Sequence, residues 1–490
     1  MTSTNAPQLV RPLLAWFDDA KLGIFIHWTA AAIPAFATTR PPDFYSEFGS
    51  ADFDWAHFFQ SNPNAESYWN VMSIPGSPMA TYHTEHYGDL PFEAFVEQFR
   101  AGLAAWDPEP WAELFARSGA RYVVFVVKCE DGFLLWPSAH PNPYRENWQA
   151  ERDVVGVLAA AVRARGMRFG VMYTGGMDWT FGGIPIADMD SMMAAGPDTE
   201  EYAAYADAHW RELVERYQPS VLWNDYSYTS KADPNSLYNW YVEQVPDGLM
   251  NDRFSEIASI GDTEEVVVFG EQFGDFATTE YACQRDLPAF AATQRAKGRK
   301  WENSRPVGSS WGYNRQESDA TYLGSTELVQ EIVDVVAHGG NFLLHVGPTG
   351  AGDIPWEQAE RLVAIGWWLR TNGGAVYGTR PWDLPAATTD DKLEVRFTAN
   401  DDAVHAIVLA GPSLSKSVAP RSLALPVELE GDAKVELLGH QGALAWESTD
   451  AGVRVTLPEA PTGSPAISLR MTPRSSVRPG PALRAANRLA

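Results

Sequence analysis

Cysteine is nearly missing from this 490-residue chain, which has only Cys129 and Cys283. Two cysteines cannot make the disulfide framework of a small secreted protein, although one bridge between them stays open. Neither stands in a CxxC or Cys/His ligand spacing, which excludes a zinc site of the usual kind. Positive charge is scarce as well: 37 Lys and Arg face 63 Asp and Glu, a formal net charge of −26. Such a surface repels phosphate backbones and anionic lipid, so neither nucleic acid nor membrane is an expected partner, while a neutral substrate is compatible. No uncharged apolar stretch reaches membrane-spanning length. The N-terminus has no charged segment followed by an uninterrupted apolar core, so no signal peptide is expected, and the expected location is cytoplasmic.

Several catalytic motifs are missing too. There is no GxxxxGKS or GxxxxGKT phosphate loop, no GxGxxG in a strand-to-helix context and no GxSxG. The HTEH at residues 83–86 has metal-like residue types at the wrong spacing for HExxH, and reads as a loop with scattered histidines.

What the chain does have is apolar material, 45% of its residues, with 19 Trp, 18 Tyr and 23 Phe. That is enough for a full core without staples, in one large domain plus a smaller one. The first three quarters alternate short apolar runs with amphipathic segments. The runs fall at residues 23–28, 122–128, 168–174, 221–225, 249–253 and 341–347. Each is apolar on both faces, as buried parallel strands are. Helical spacing recurs at residues 109–118, 153–165, 200–217 and 325–338, with Gly166 placed to end the second of these. The expected fold is α/β: a (β/α) TIM-like catalytic barrel over residues 1–378. Residues 36–92 are aromatic, contain proline and show little periodicity, and are expected to form an elaborated loop over the site. From residue 392 short alternating runs separated by turns predict an antiparallel β-sandwich, giving a second domain over 379–472. The tail, 473–490, is rich in Arg, Pro and Ala and is expected to be disordered.

Polar residues recur at the C-terminal ends of the runs, where barrel active sites are built: His27, Lys128, Asp225 and Arg253. A charge at the tip of a buried strand is costly unless it is paired or functional. Asp225 therefore either pairs with Arg253, caps the next helix, or reacts. Glycoside cleavage needs a second carboxyl, and Glu271, Glu280 and Glu302 are the downstream candidates.

At this point the residues resemble glycoside hydrolase family 29, the α-L-fucosidases, over nearly the whole length. The segments that carry the resemblance include WFDDAKLGIFIHW, DGFLLWPS, RGMRFGVMY, QPSVLWND, MNDRF, DFATTEY, KWENSR, SSWGYNR and GGNFLLHVGP. The resemblance implies a catalytic barrel followed by a β-sandwich, a retaining mechanism, a small glycoside or oligosaccharide substrate, and no metal or organic cofactor. It implies Asp225 as nucleophile and Glu280 of DFATTEY as acid/base, with Glu302 of KWEN in reserve. It assigns sugar contacts to His27, Glu66, Cys129, Glu130, Tyr173, Trp223, Arg253 and Trp311. Oligomeric state, aglycone and linkage stay open. The alternative is a catalytically inactive carbohydrate-binding protein on the same fold.

The chain departs from the family at Lys128-Cys129-Glu130-Asp131-Gly132-Phe133. Fucosidases usually read KHHDGF there, and the two histidines contact ring hydroxyls. A carboxylate only accepts hydrogen bonds, and a thiol is a poor partner either way. Two sugars therefore fit the expectation: fucose itself, or an L-gluco-configured relative with an equatorial 4-hydroxyl. A smaller departure is His345, where the family usually has asparagine.

Overall fold

The computed structural model describes residues 8–41, 44, 53–255, 257–260, 267–269, 273–281, 287–389, 392–411, 422–458 and 463–480, with backbone alone at 257–260 and 267–269. Its first part is an eight-stranded parallel barrel. The strands are β1 (Leu22–Ile26), β2 (Tyr122–Lys128), β3 (Arg168–Thr174), β4 (Val221–Asp225), β5 (Leu249–Met250), β6 (Phe276–Glu280), β7 (Lys300–Pro306) and β8 (Gly340–Val346). They are hydrogen-bonded in the order β5-β4-β3-β2-β1-β8-β7-β6. A single bridge, Asn251 to Phe276, closes the ring between β5 and β6 among the described residues.

The strands read as continuous apolar runs because both faces are buried. Phe25, Val124, Val126, Met172, Trp223 and Leu343 fill the lumen. The alternate residues Ile24, Phe125, Val171, Leu222 and Leu344 face the surrounding helices. The helices form where the spacing predicts. Val154–Ala164 starts at Asp153, whose carboxylate accepts from the Gly156 N–H at 2.8 Å. It is followed by Gly166 in the left-handed region at φ 76°. Glu200–Tyr217 is capped by Thr199, which accepts from the Tyr202 N–H at 3.1 Å.

The described residues within 36–92 are more ordered than their texture suggests. They carry helices Trp55–Gln60, Tyr68–Met72 and Pro78–Tyr87. The last begins with Ser77 as cap and Pro78 in the first turn, and shows no apolar stripe. Caps rather than periodicity define it, which is why the spacing missed it. The histidines of HTEH are structural: His83 bonds the Tyr68 hydroxyl at 3.1 Å and the Leu90 carbonyl at 2.8 Å. Among the described residues no group of three or more His, Cys, Asp or Glu could hold a metal ion.

The second part is antiparallel. A six-stranded sheet runs in the order Arg380–Thr388, Glu394–Ala399, Val404–Leu409, Ala466–Thr472, Lys434–Leu437, Ala443–Leu444. It faces a three-stranded sheet of Ser422–Leu425, Gly452–Thr456 and Trp446–Thr449 across a core of Val395, Phe397, Leu423, Val455 and Leu469. The other face of the larger sheet packs on the barrel: Ile407, Leu409 and Ala466 join the barrel's outer core. The Trp368 indole N–H also donates to the Ala466 carbonyl at 2.8 Å. The chain does not lose order at 473. Arg474–Ser476 form a 3-10 turn and Val477–Pro479 pair antiparallel with Val427–Leu429, because alternation resumes there within a Pro- and Arg-rich composition. Residues 481–490 lie outside the described residues.

Candidate active site

Asp225 ends β4 with its side chain at the mouth of the barrel. The chain then turns sharply: Tyr226 and Ser227 both take the left-handed conformation, at φ 57° and 68°. Asn224, fully buried, points the other way and holds this turn. Its amide donates to the carbonyls of Ser227 and of Arg253, the latter at 2.7 Å, and its oxygen accepts from the Gly175 N–H at 3.0 Å. Asn251 closes the arrangement by exchanging two 3.0 Å bonds with the Asn224 backbone. One outward-facing asparagine thus ties the loops after β3, β4 and β5 together, and fixes where Asp225 and Arg253 project.

Arg253 stands between two carboxylates. One terminal nitrogen donates to Asp225 Oδ1 at 2.7 Å, the other reaches Glu280 Oε1 at 2.7 Å, and Nε donates to the Thr278 hydroxyl at 2.9 Å. The guanidinium is buried, and its two anionic partners raise its pKa further above the ordinary arginine range. Asp225 Oδ1 also accepts from the Tyr226 N–H at 2.9 Å. Burial raises the Glu280 pKa, the Asp225 charge adds to this, and Arg253 opposes it.

A second tier of groups rings this pair. Glu66 sits on the 3-10 turn Ala65–Ser67, which is pinned to the loop after β7: the Ala65 N–H donates to Ser310 Oγ and to the Trp311 carbonyl, both at 3.0 Å. Gly312 in that loop has φ 78°, and a Cβ there would lie 3.2 Å from both the backbone nitrogen and Oε2 of Glu66. Glu130 follows β2 beside Cys129, whose thiol donates to Glu130 Oε2 at 2.6 Å. Burial raises the pKa of both carboxyls and of the thiol. Glu130 repels Glu66, and Asp225 repels both. Glu66, Glu130 and Glu280 are each harder to ionise for their burial and for the charge of Asp225 close by.

Aromatic rings close the remaining side. Trp311 lies 5.4 Å from His27 and 5.0 Å from His345, centre to centre, and the two imidazoles are 4.8 Å apart. Burial lowers the His27 pKa to about 3 and that of His345 well below its usual range, so both rings are neutral. His345 Nε2 accepts from the Gly312 N–H at 3.3 Å, which puts its proton on Nδ1. Two buried polar atoms here have no hydrogen-bond partner, His27 Nδ1 and Glu66 Oε2. Unpaired buried groups of this kind are what a polyhydroxylated ligand satisfies.

The site thus gathers His27, Glu66, Cys129, Glu130, Asp225, Arg253, Glu280 and Trp311. It does not gather Tyr173. On β3 the lumen residue is Met172, and Tyr173 faces the helices, where its hydroxyl meets His209 Nδ1 at 3.0 Å. Both faces of the strand are apolar, so alternation gave no sign of which residue points inward. Lys128 is structural as well, bonded to Asp178 at 3.1 Å and to the carbonyls of Thr174 and Met177. Trp223 is 1% exposed and forms the floor beneath Arg253 rather than an open wall. Glu302 lies lower still: Thr278 pairs with Glu302 in the register, whereas Glu280 pairs with Ser304, one pleat nearer the mouth. Glu271 and Cys283 lie outside the described residues. The sequence reading missed Tyr226, half-buried with its phenol near Glu130, Asp225 and Glu66, and the support given by Asn224 and Gly312.

Chemically, the arrangement offers a carboxylate held by a cation, a second carboxyl poised to keep its proton, and unpaired acceptors and donors in a partly apolar cleft. A family profile described as Alpha-L-fucosidase matches residues 1–374, and one described as Alpha-L-fucosidase C-terminal domain matches 389–472. The chain is 32% identical over 461 residues to the plasma α-L-fucosidase of Rattus norvegicus, covering 91% of this chain and 88% of that one. The crystal structure of the Thermotoga maritima α-fucosidase in complex with a mechanism-based inhibitor superposes with a TM-score of 0.78 at 36% identity, covering 94% of this chain and 96% of that one. The complex of the same enzyme with fucose superposes at 0.77 with 35% identity, covering 94% and 97%.

Proposed function

The chain belongs to the α-L-fucosidase family and is a glycoside hydrolase, and from that premise we propose that it removes terminal α-L-fucosyl residues by double displacement on Asp225 and Glu280. Asp225 attacks the anomeric carbon through Oδ2, since Oδ1 already accepts from Arg253 and from the Tyr226 N–H. As the glycosidic C–O bond breaks, Glu280 passes its proton to the leaving oxygen. Water then attacks the glycosyl–Asp225 ester from the same side, Glu280 takes the water's proton, and the carboxylate is released.

The observation that carries this reading is the single guanidinium shared by the two carboxylates at 2.7 Å each. It ties the two carboxyls to one planar group at the mouth of the barrel, as paired attack and proton donation on one sugar require. Burial raises the Glu280 pKa, Arg253 opposes this and the Asp225 charge adds to it, and a raised pKa suits a proton donor. The test is Asp225→Gly: turnover of an aryl α-L-fucoside should vanish, and azide should restore product by direct attack. Near-wild-type turnover without azide would overturn the assignment. No observation favours an inactive carbohydrate-binding protein.

A second reading concerns the sugar. Cys129 and Glu130 stand where the family usually has two histidines, and the thiol is already committed to Glu130. A carboxyl in place of imidazole presents another donor–acceptor array to the ring hydroxyls, which favours an L-gluco relative of fucose. Comparing kcat/KM for matched aryl α-L-fucoside and α-L-glucoside decides between the two sugars. A strong fucoside preference removes the second reading. No described helix is long and apolar enough to cross a membrane, and action in the cytoplasm on small imported glycosides stays part of the proposal.

A further inference from the structure

Beneath the floor of the site is a buried carboxyl that the proposed chemistry does not use. Glu302 on β7 is 1% exposed. One of its oxygens accepts from the Tyr122 hydroxyl, and the other from the Trp223 indole N–H at 3.1 Å. Its pKa is pushed up to about 7, burial outweighing these two donors and the nearby positive charges of Lys300 and Arg253.

Trp223 is gripped in two places. Its edge is held by Glu302 through Nε1. Over its ring lies the Arg253 guanidinium, with its central carbon 4.5 Å from the ring centre. Arg253 in turn spans Asp225 and Glu280. The path from Glu302 to the reacting carboxylates therefore has three links: a hydrogen bond, a cation–π contact and the ion pairs of Arg253. Each link affects the next. Terminal ring torsions have broad wells, so an indole without an edge contact can rock, and a guanidinium resting on it moves too. A carboxylate accepting the indole N–H also pushes electron density into the ring, which strengthens its hold on a cation.

We infer that Glu302 is a positioning residue for the catalytic pair: by fixing the Trp223 indole through its N–H it sets Arg253, and hence the placement of Asp225 against Glu280. This rests on the assignment of Asp225 and Glu280 given above. It also explains a glutamate at a lumen position where apolar residues fill the barrel around it.

The experiment is a double-mutant cycle on turnover of an aryl α-L-fucoside, using the full chain as wild type, E302Q, W223F and both together. E302Q keeps the shape and removes the charge, while W223F keeps a ring and removes the N–H. Each single change should lower kcat about tenfold with KM within about threefold, and the double variant should be no slower than the slower single one. Losses that multiply in the double variant, or E302Q turning over like wild type, would overturn the inference, since a merely structural glutamate lowers stability without passing through Trp223. If E302Q melts too early to assay, W223F alone carries the test, and wild-type kcat in W223F overturns it. Failure of the catalytic assignment reads differently: it appears as turnover by Asp225→Gly, whereas the cycle reports coupling between Glu302 and Trp223 whichever carboxyl attacks.

Discussion

The thiol of Cys129 donates its hydrogen to the carboxylate of Glu130 at 2.6 Å, and both side chains are buried near Asp225. That bond makes the two side chains one unit. Replacing it with the histidines usual in the family, C129H/E130H, should raise the ratio of fucoside to glucoside kcat/KM by about tenfold or more, the range expected when a buried hydroxyl contact is gained or lost. An unchanged ratio would remove the pair from sugar recognition.

Arg253 is bonded to both Asp225 and Glu280. Arg253→Met should lower kcat/KM by about a hundredfold or more, because it leaves two partly buried carboxylates facing each other. The pH profile carries the finer test. Arg253 lowers the pKa of Glu280, so removing it lets the acid keep its proton to higher pH. In the proposed mechanism Glu280 acts protonated in the first step, so the alkaline limb of kcat/KM should move up. A limb that stays put or moves down would contradict Glu280 as the group behind it.

Asp131 is buried with Oδ1 accepting from the Phe133 N–H at 3.0 Å and Oδ2 without a partner, and its pKa is raised to about 7. The folded chain thus binds this proton more tightly than the unfolded chain does. The stability it contributes is complete below about pH 4 and is lost as pH rises toward 7. Melting temperature followed from pH 5 to pH 8 should fall more steeply in wild type than in Asp131→Asn. The difference corresponds to on the order of 2–4 kcal/mol across the full window. Parallel curves would show that Asp131 does not titrate in that range.

Gly312→Ala tests the second tier. Alanine at φ 78° is strained, and its Cβ would press on the Glu66 backbone and carboxyl at 3.2 Å. The expected result is a destabilisation of about 1 kcal/mol, with KM for the sugar raised more than kcat is lowered. Unchanged KM would mean that Glu66 does not hold the substrate.

The barrel was legible in the sequence because parallel strands buried on both faces leave continuous apolar runs, and Asp225 stood out as a charge at the tip of one. The same double burial hid direction: nothing in RFGVMYT distinguishes Met172, in the lumen, from Tyr173, against the helices. Glu280 and Glu302 both occupy strand positions, and only the register between β6 and β7 separates the mouth of the site from its floor. Tyr226 enters through a left-handed turn with no residue pattern to announce it. The helices within 36–92 are set by caps and tertiary packing, which periodicity does not report.

The single bridge that closes the barrel between β5 and β6 has a mechanical consequence. Elsewhere around the ring neighbouring strands hold each other through backbone ladders, but here side chains do much of the sewing. Asp275 accepts from the Met250 N–H at 2.8 Å, Asp252 accepts from the Thr278 N–H at 3.1 Å, and Arg253 reaches over to Thr278 and Glu280. Glu280 ends the strand on one side of that seam, and Arg253, which follows β5 on the other side, holds Asp225 of the neighbouring β4. Any widening of the seam lengthens the span that Arg253 must cover from Asp225 to Glu280, so the barrel's weakest closure also sets the spacing of the two carboxyls proposed to react.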